Sequence, residues 1–214
     1  MKGAWYAAGG SPWKDLWTLL HGPYTSMVLA YVTIGAALSP TFHPDRYLGL
    51  LLAYLLGLGG AAHFLDETRG HPWGTRYSNR ALYLLTALTL IPAVGIGLYY
   101  TWTVTPIFLI FVALGTFFAF AYNLEWFNGR FHTDLWFALS WAGFPFLTSY
   151  FLQTLSLPSW TLVMAAALSC TAGVQISLSR WIKGYRRKKP LSTLIFSDNS
   201  TRPMQTSDLI DRPQ

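Results

Sequence analysis

The polar side chains with the most chemical capacity fall into two short segments. The first, Ala62-His-Phe-Leu-Asp-Glu-Thr-Arg-Gly-His-Pro-Trp-Gly-Thr-Arg76, carries His63, Asp66, Glu67, Arg69, His71 and Arg76. The second, Tyr122-Asn-Leu-Glu-Trp-Phe-Asn-Gly-Arg-Phe-His-Thr-Asp134, carries Tyr122, Asn123, Glu125, Arg130, His132 and Asp134. A helix running into the first segment would set His63 and Glu67 four residues apart on one face, with Asp66 three from His63. Gly70 and Pro72 would then end it. Carboxylates in this number suit magnesium, which takes oxygen ligands and bridges protein to phosphate. Imidazoles beside them would also suit zinc, iron or manganese. The spacing matches no H-E-x-x-H signature, and the chain has no P-loop, dinucleotide-binding glycine motif or nucleophile elbow. Nucleotide hydrolysis and serine-hydrolase chemistry therefore have no support, and neither a nucleotide nor a haem is expected.

The elements that must hold these segments follow from composition. Of 214 residues, 52% are hydrophobic and only 11% charged, against roughly 25% charged in a soluble domain. That excludes an ordinary soluble protein, and 17% aromatic residues exclude disorder. The net charge of +6 is gathered in loops and tails and implies no nucleic-acid partner. The single cysteine, Cys170, excludes an internal disulfide framework.

Four windows contain no Asp, Glu, Lys or Arg: Tyr24 to Pro44, Tyr47 to Leu65, Ala81 to Leu124 and Leu135 to Ser179. About 20 apolar residues cross the hydrocarbon core as one helix. The two shorter windows hold one span each. The two longer ones hold two each, turning at Tyr100 to Pro106 and at Leu155 to Trp160. The expected fold is an all-α, polytopic membrane bundle of six transmembrane helices, at about 24–41, 47–65, 82–100, 104–123, 135–154 and 159–179. An interfacial segment, 1–23, precedes the 24–180 bundle, with Trp5, Trp13, Trp17, Leu16, Leu19 and Leu20 set against Lys14 and Asp15. A basic juxtamembrane stretch and polar tail, 181–214, follow it. With six spans, fourteen of the fifteen Lys and Arg fall on the side of the termini and only Arg46 on the other. The positive-inside rule then puts both termini, and both polar segments, on the cytoplasmic side of the cell membrane.

On these residues the sequence resembles the UbiA superfamily of intramembrane prenyltransferases. The entry Leu19-Leu-His-Gly-Pro-Tyr-Thr25 looks like that family's start, and Asp66 and Glu67 look like its first Asp-rich motif. Gly70-His-Pro-Trp-Gly-Thr75 is similar to the segment after that motif, and Tyr122 to the tyrosine ending span four. The resemblance covers about residues 16 to 150. It implies a lipid-embedded cleft for an isoprenoid diphosphate, with magnesium held by Asp66, Glu67, His63 and Glu125. It also implies phosphate contacts from Arg69, Arg76, Asn123 and Arg130, Tyr122 near the cationic carbon, and prenyl transfer to a lipid or quinone-type acceptor. The chain departs from the family in having fewer spans and no second Asp-rich motif: no acidic residue follows Asp134 until Asp198.

Two other readings stand beside transfer. One is a relative that keeps the isoprenoid cleft without the reaction, an accessory subunit of a respiratory or photosynthetic membrane complex that binds a quinone, a pigment tail or a lipid. The other is a metal-dependent hydrolase at the membrane surface, using His63, Glu67, His71, Glu125, His132 and Asp134.

Overall fold

The computed structural model describes residues 10–188, 193–195 and 197–203. Trp5, Lys189 of the basic stretch and residues 204–214 of the polar tail lie outside them. One compact unit ends at Gly173 and a second begins at Val174. Every site discussed below belongs to the first.

The chain is helical, and its caps are legible locally. Helix α1, Pro12–Leu19, starts at Ser11, whose hydroxyl accepts the Lys14 N–H at 3.3 Å, with Pro12 in the first turn. Helix α2, Gly22–Ala37, follows His21, which takes a left-handed conformation (φ 49°). Helix α3, Pro44–Glu67, contains a π-helical stretch at Leu55–Ala61, and helix α4 is Asn79–Thr103, capped by Ser78. Helix α5 is Phe108–Asn123, and helix α6, Asp134–Thr154, capped by Thr133, contains a second π-helical stretch at Leu139–Gly143. Helix α7 is Ser159–Lys188, and strands β1, Thr193–Ile195, and β2, Thr201–Pro203, pair antiparallel in the second unit.

Four helical stretches are long and apolar enough to cross a membrane: Pro44–Glu67, Asn79–Thr103, Asp134–Thr154 and Ser159–Ile182. Helices α2 and α5, expected to be spans, have 16 residues each. At 1.5 Å per residue they measure about 24 Å, less than the ~30 Å hydrocarbon core. Helix α5 begins later than expected because Val104-Thr-Pro106 makes a turn first. Three successive i→i+3 bonds, from the Phe108, Leu109 and Ile110 N–H groups to the carbonyls of Thr105, Pro106 and Ile107, lead into it. The apolar surface these helices turn outward, including Leu84, Leu88 and Ile91 on α4, suits a lipid bilayer.

Helix α6 is the centre of the first unit. In its apolar stretch 72% of residues are buried inside the protein, against 17% for α4. Helix α2 packs along α6 at Gly35, where a Cβ would lie 2.5 Å from the Phe146 carbonyl and 2.8 Å from the Ser149 Cβ. The glycines Gly59 and Gly60 of α3 similarly admit Thr25 of α2 and Thr89 of α4.

The loops divide between two ends. One end, called the basic end below, carries α1, the 68–78 loop and the 124–133 loop. At the other, Gln153 clasps the α2–α3 connection: its Oε1 accepts the His43 N–H at 2.6 Å and its Nε2 donates to the His43 carbonyl at 3.3 Å. Arg46 there donates to the Leu152 carbonyl at 3.0 Å. At the basic end, α1 buries Leu19 against Phe64 and Leu82 and leaves Trp13 and Trp17 exposed. Asp15, expected on its polar face, is buried and accepts the Arg76 N–H at 3.3 Å.

Candidate functional site

Beneath the basic end, rings from six segments meet. The His21 imidazole stacks on that of His63 (centroids 5.0 Å apart, planes 22° apart) and meets Tyr24 and Trp73 edge-on at 4.6 and 4.8 Å. His63 contacts Trp141 at 5.3 Å, and Trp141 stacks on Phe137 at 5.2 Å. Tyr122 reaches Trp141 at 6.4 Å and stacks on His132 at 4.5 Å, while His132 Nδ1 lies 2.9 Å from the Tyr122 carbonyl oxygen. His21, Tyr24, His63, Tyr122 and Trp141 are all buried. A titratable ring in this position is a candidate for function, because polar groups at membrane depth are costly unless they are used.

The two π-helical stretches bring these rings together. Helix α3 runs toward the basic end and α6 runs away from it. Ala61, the last residue of the first stretch, is six residues from Glu67, and Leu139, the first of the second, is five from Asp134. Both stretches therefore lie about 8–9 Å from their helix ends at 1.5 Å per residue, at one depth. π-helical turns concentrate at functional sites.

On the far side of Trp141 is a cavity of about 100 Å³ between α3, α4, α5 and α6, whose wall includes Gly57, Leu58, Ala93, Phe111, Trp141 and Phe144. Three hydroxyls in that wall are satisfied locally: Ser140, Thr116 and Thr148 each donate to the carbonyl one turn back, at 2.6, 2.8 and 2.7 Å. The cavity is thus apolar in character, and Trp141 is shared between it and the imidazole cluster.

The acidic segment is tied into its own loop. Glu67, expected to hold magnesium, has no exposed surface. Its Oε1 accepts the Thr75 N–H at 2.9 Å and the Thr75 hydroxyl at 2.8 Å, and its Oε2 accepts the Trp73 N–H at 3.0 Å. His71 Nδ1 adds a contact at 3.4 Å. The helix does end as Gly70 and Pro72 suggest, with Gly70 (φ 90°), His71 (φ 51°) and Gly74 (φ 64°) turning the chain back. Asp66, beside it, is half-buried.

Glu125 pairs instead with Arg69 across the two loops at 3.4 Å, and Arg76 Nε lies 3.7 Å from Asp15. Arg130 is exposed. Asn123, expected at a phosphate, is buried and donates to the Ala119 carbonyl of its own helix at 2.7 Å. Among the described residues, no three His, Cys, Asp or Glu side chains gather where they could hold one metal ion. Of the donors expected for magnesium, Glu67 is the one whose oxygens already accept from its own loop; Asp66, His63 and Glu125 do not gather around it in this structure.

The Arg69–Glu125 pair joins two side chains that are 50% and 43% exposed, so it contributes about 0–1 kcal/mol and is screened by salt. Arg69→Ala should lower the melting temperature slightly at low salt and leave it unchanged at high salt. A loss that persists at high salt would mean the pair carries more than surface attraction.

Sequence reasoning named His63, Tyr122 and His132 as candidates; His21, Tyr24 and Trp73 entered only within the Leu19–Thr25 and Gly70–Thr75 segments, with no role of their own, and Trp141 was not singled out. The His21-Gly-Pro step before α2 is the one local signal for the first of these. In comparisons with protein-family models, with curated proteins and with solved structures, none matches the chain.

Proposed function

We propose that this chain is a UbiA-like, six-span protein of the cytoplasmic membrane that binds an isoprenoid-tailed amphiphile without transferring its prenyl group, as an accessory subunit of a larger membrane complex. The tail lies in the apolar cavity between α3, α4, α5 and α6. The head, a quinone-type or pigment ring, lies against the His21–His63 and Tyr122–His132 stacks. Both termini and the basic end face the cytoplasm, in keeping with the fourteen-to-one division of Lys and Arg.

The observation that carries this reading is Trp141, one side chain that walls the apolar cavity and touches His63. Apolar walls with a few polar rings converging at one end suit an amphiphile with an apolar tail and a compact head, of whose tail the cavity of about 100 Å³ takes the first part. What supports binding over prenyl transfer is Glu67, whose oxygens accept from the Trp73 and Thr75 N–H groups of its own loop.

Mass spectrometry of the particle released gently from its native membrane tests this reading. The expected result is a stoichiometric isoprenoid lipid with no diphosphate, together with partner chains. Particles carrying only phospholipid, when taken from membranes rich in quinone or pigment, would overturn it. A bound prenyl diphosphate would restore the enzyme reading.

A further inference from the structure

We infer that Glu67 is a positioning residue and not a metal ligand: its carboxylate folds the 68–75 loop so that the Trp73 indole closes against His21 and completes the head-group end of the cleft. The inference deepens the amphiphile reading and rests on it for what the cleft receives. The geometry of Glu67 itself stands apart from that reading.

A carboxylate with no exposed surface is costly unless its lone pairs are satisfied. Glu67 has three donors between 2.8 and 3.0 Å, two of them backbone N–H groups, and the His71 imidazole at 3.4 Å. A carboxylate offers about four lone-pair sites, so little acceptor capacity remains. Magnesium also keeps an octahedral shell with several waters, and the buried side chain leaves no surface on which to build one.

What the carboxylate does instead is visible in the loop. His71 is in the left-handed region that favours glycine, between Gly70 and Gly74, which are there too. The loop thus holds a turn that its non-glycine residue disfavours, and the Trp73 and Thr75 N–H groups are drawn back to one side chain. With the Trp73 backbone fixed in this way, its indole meets His21 edge-on at 4.8 Å. His21 stacks on His63, His63 on Trp141, and Trp141 walls the cavity. Glu67 therefore acts on the head-group end through Trp73.

The test uses the full chain in nanodiscs, labelled with fluorotryptophan for fluorine NMR, with the Trp73 line assigned by Trp73→Phe. Glu67→Gln keeps the shape but replaces one of the two acceptor oxygens with an amide N–H₂, a donor. The Trp73 line should shift in Glu67→Gln, and millimolar magnesium chloride should leave it unmoved in both proteins. Decylubiquinone binding should weaken about fivefold in Glu67→Gln, the equivalent of one lost hydrogen bond. Trp73→Ala should weaken it at least as much, and the double variant no further, because two residues acting through one contact are not additive. Additive losses, or an unmoved Trp73 line, would overturn the positioning role. So would a wild-type melting temperature raised by magnesium and unresponsive in Glu67→Gln. Should Glu67→Gln fail to assemble, Thr75→Val removes the hydroxyl donor alone and should give the same pattern at smaller amplitude. A wild type that binds no decylubiquinone counts against the quinone-type head, while the NMR and magnesium results still decide the place of Glu67.

Discussion

Replacing Trp141 with Ala should strip the protein of its bound amphiphile and cost about 3–5 kcal/mol of stability, the usual loss for a buried Trp or Phe cut to Ala. Trp141 is 3% exposed. It meets Phe137 at 5.2 Å, His63 at 5.3 Å, and Tyr122 and Tyr24 at 6.4 and 6.5 Å. Removing the indole opens the wall between the apolar cavity and the imidazole cluster. In a bundle surrounded by lipid tails, helix association depends on close packing more than on exclusion of water, so those lost contacts are not recovered. Trp141→Phe keeps a ring against Phe137 and His63 and should retain most of both properties. Melting curves and bound-lipid analysis in one detergent check this. An Ala variant that melts with the wild type and carries the same lipid would show that the indole is not the shared wall.

Gly35→Val should separate α2 from α6. The first added carbon would lie 2.5 Å from the Phe146 carbonyl oxygen and 3.1 Å from the Tyr150 nitrogen. Both are backbone atoms, which cannot swing aside as a flexible side chain can. Overpacking of this kind costs about 1–3 kcal/mol and sometimes more. Here the helix displaced is the one that delivers His21 and Tyr24, so ligand retention should fall with the melting temperature. Gly95 is the control, since a Cβ there meets nothing within 4 Å. Gly95→Ala should be neutral or stabilising by about 0.5–1 kcal/mol, because it removes glycine's backbone freedom from a helix. Equal melting of Gly35→Val and the wild type would show that α2 and α6 do not need this close approach.

The positions of the long helices were legible because charge is expelled from apolar spans to their ends. Pro44–Glu67 and Asp134–Thr154 fall where charge-free windows put helices at 47–65 and 135–154. Gly70 announced the end of α3, and Ser78 is a recognisable cap. The windows did not show that α2 and α5 are only 16 residues long, because the turns at Ser39-Pro40 and Thr105-Pro106 are as free of charge as the helices. The partners of Glu67 were hidden for a different reason. They depend on three left-handed residues in one loop, a conformation that Gly70 and Gly74 permit but that His71 does not announce. His21 and His63 are 42 positions apart in the chain, and their stacking depends on how α2 and α3 are rotated about their axes. Apolar periodicity is faint in helices that are apolar on every side.

The paired π-helical stretches also bear on how such a bundle changes over time. Each holds more residues per turn than an α-helix, so in sequence it behaves as an insertion, turning everything beyond it by about 100° for each residue added. The basic-end segments of α3 and α6 are thus out of phase with the remainder of their own helices. Loss of one residue from Leu55–Ala61 would swing His63 away from Trp141 while leaving Leu50 and Tyr54 in place, and the same holds for α6 in the opposite chain direction. The ring cluster at the basic end can therefore be refaced one helix at a time, by single deletions, at the cost of that part of the cavity wall, Gly57 and Leu58 or Ser140 and Trp141, which the same stretches supply.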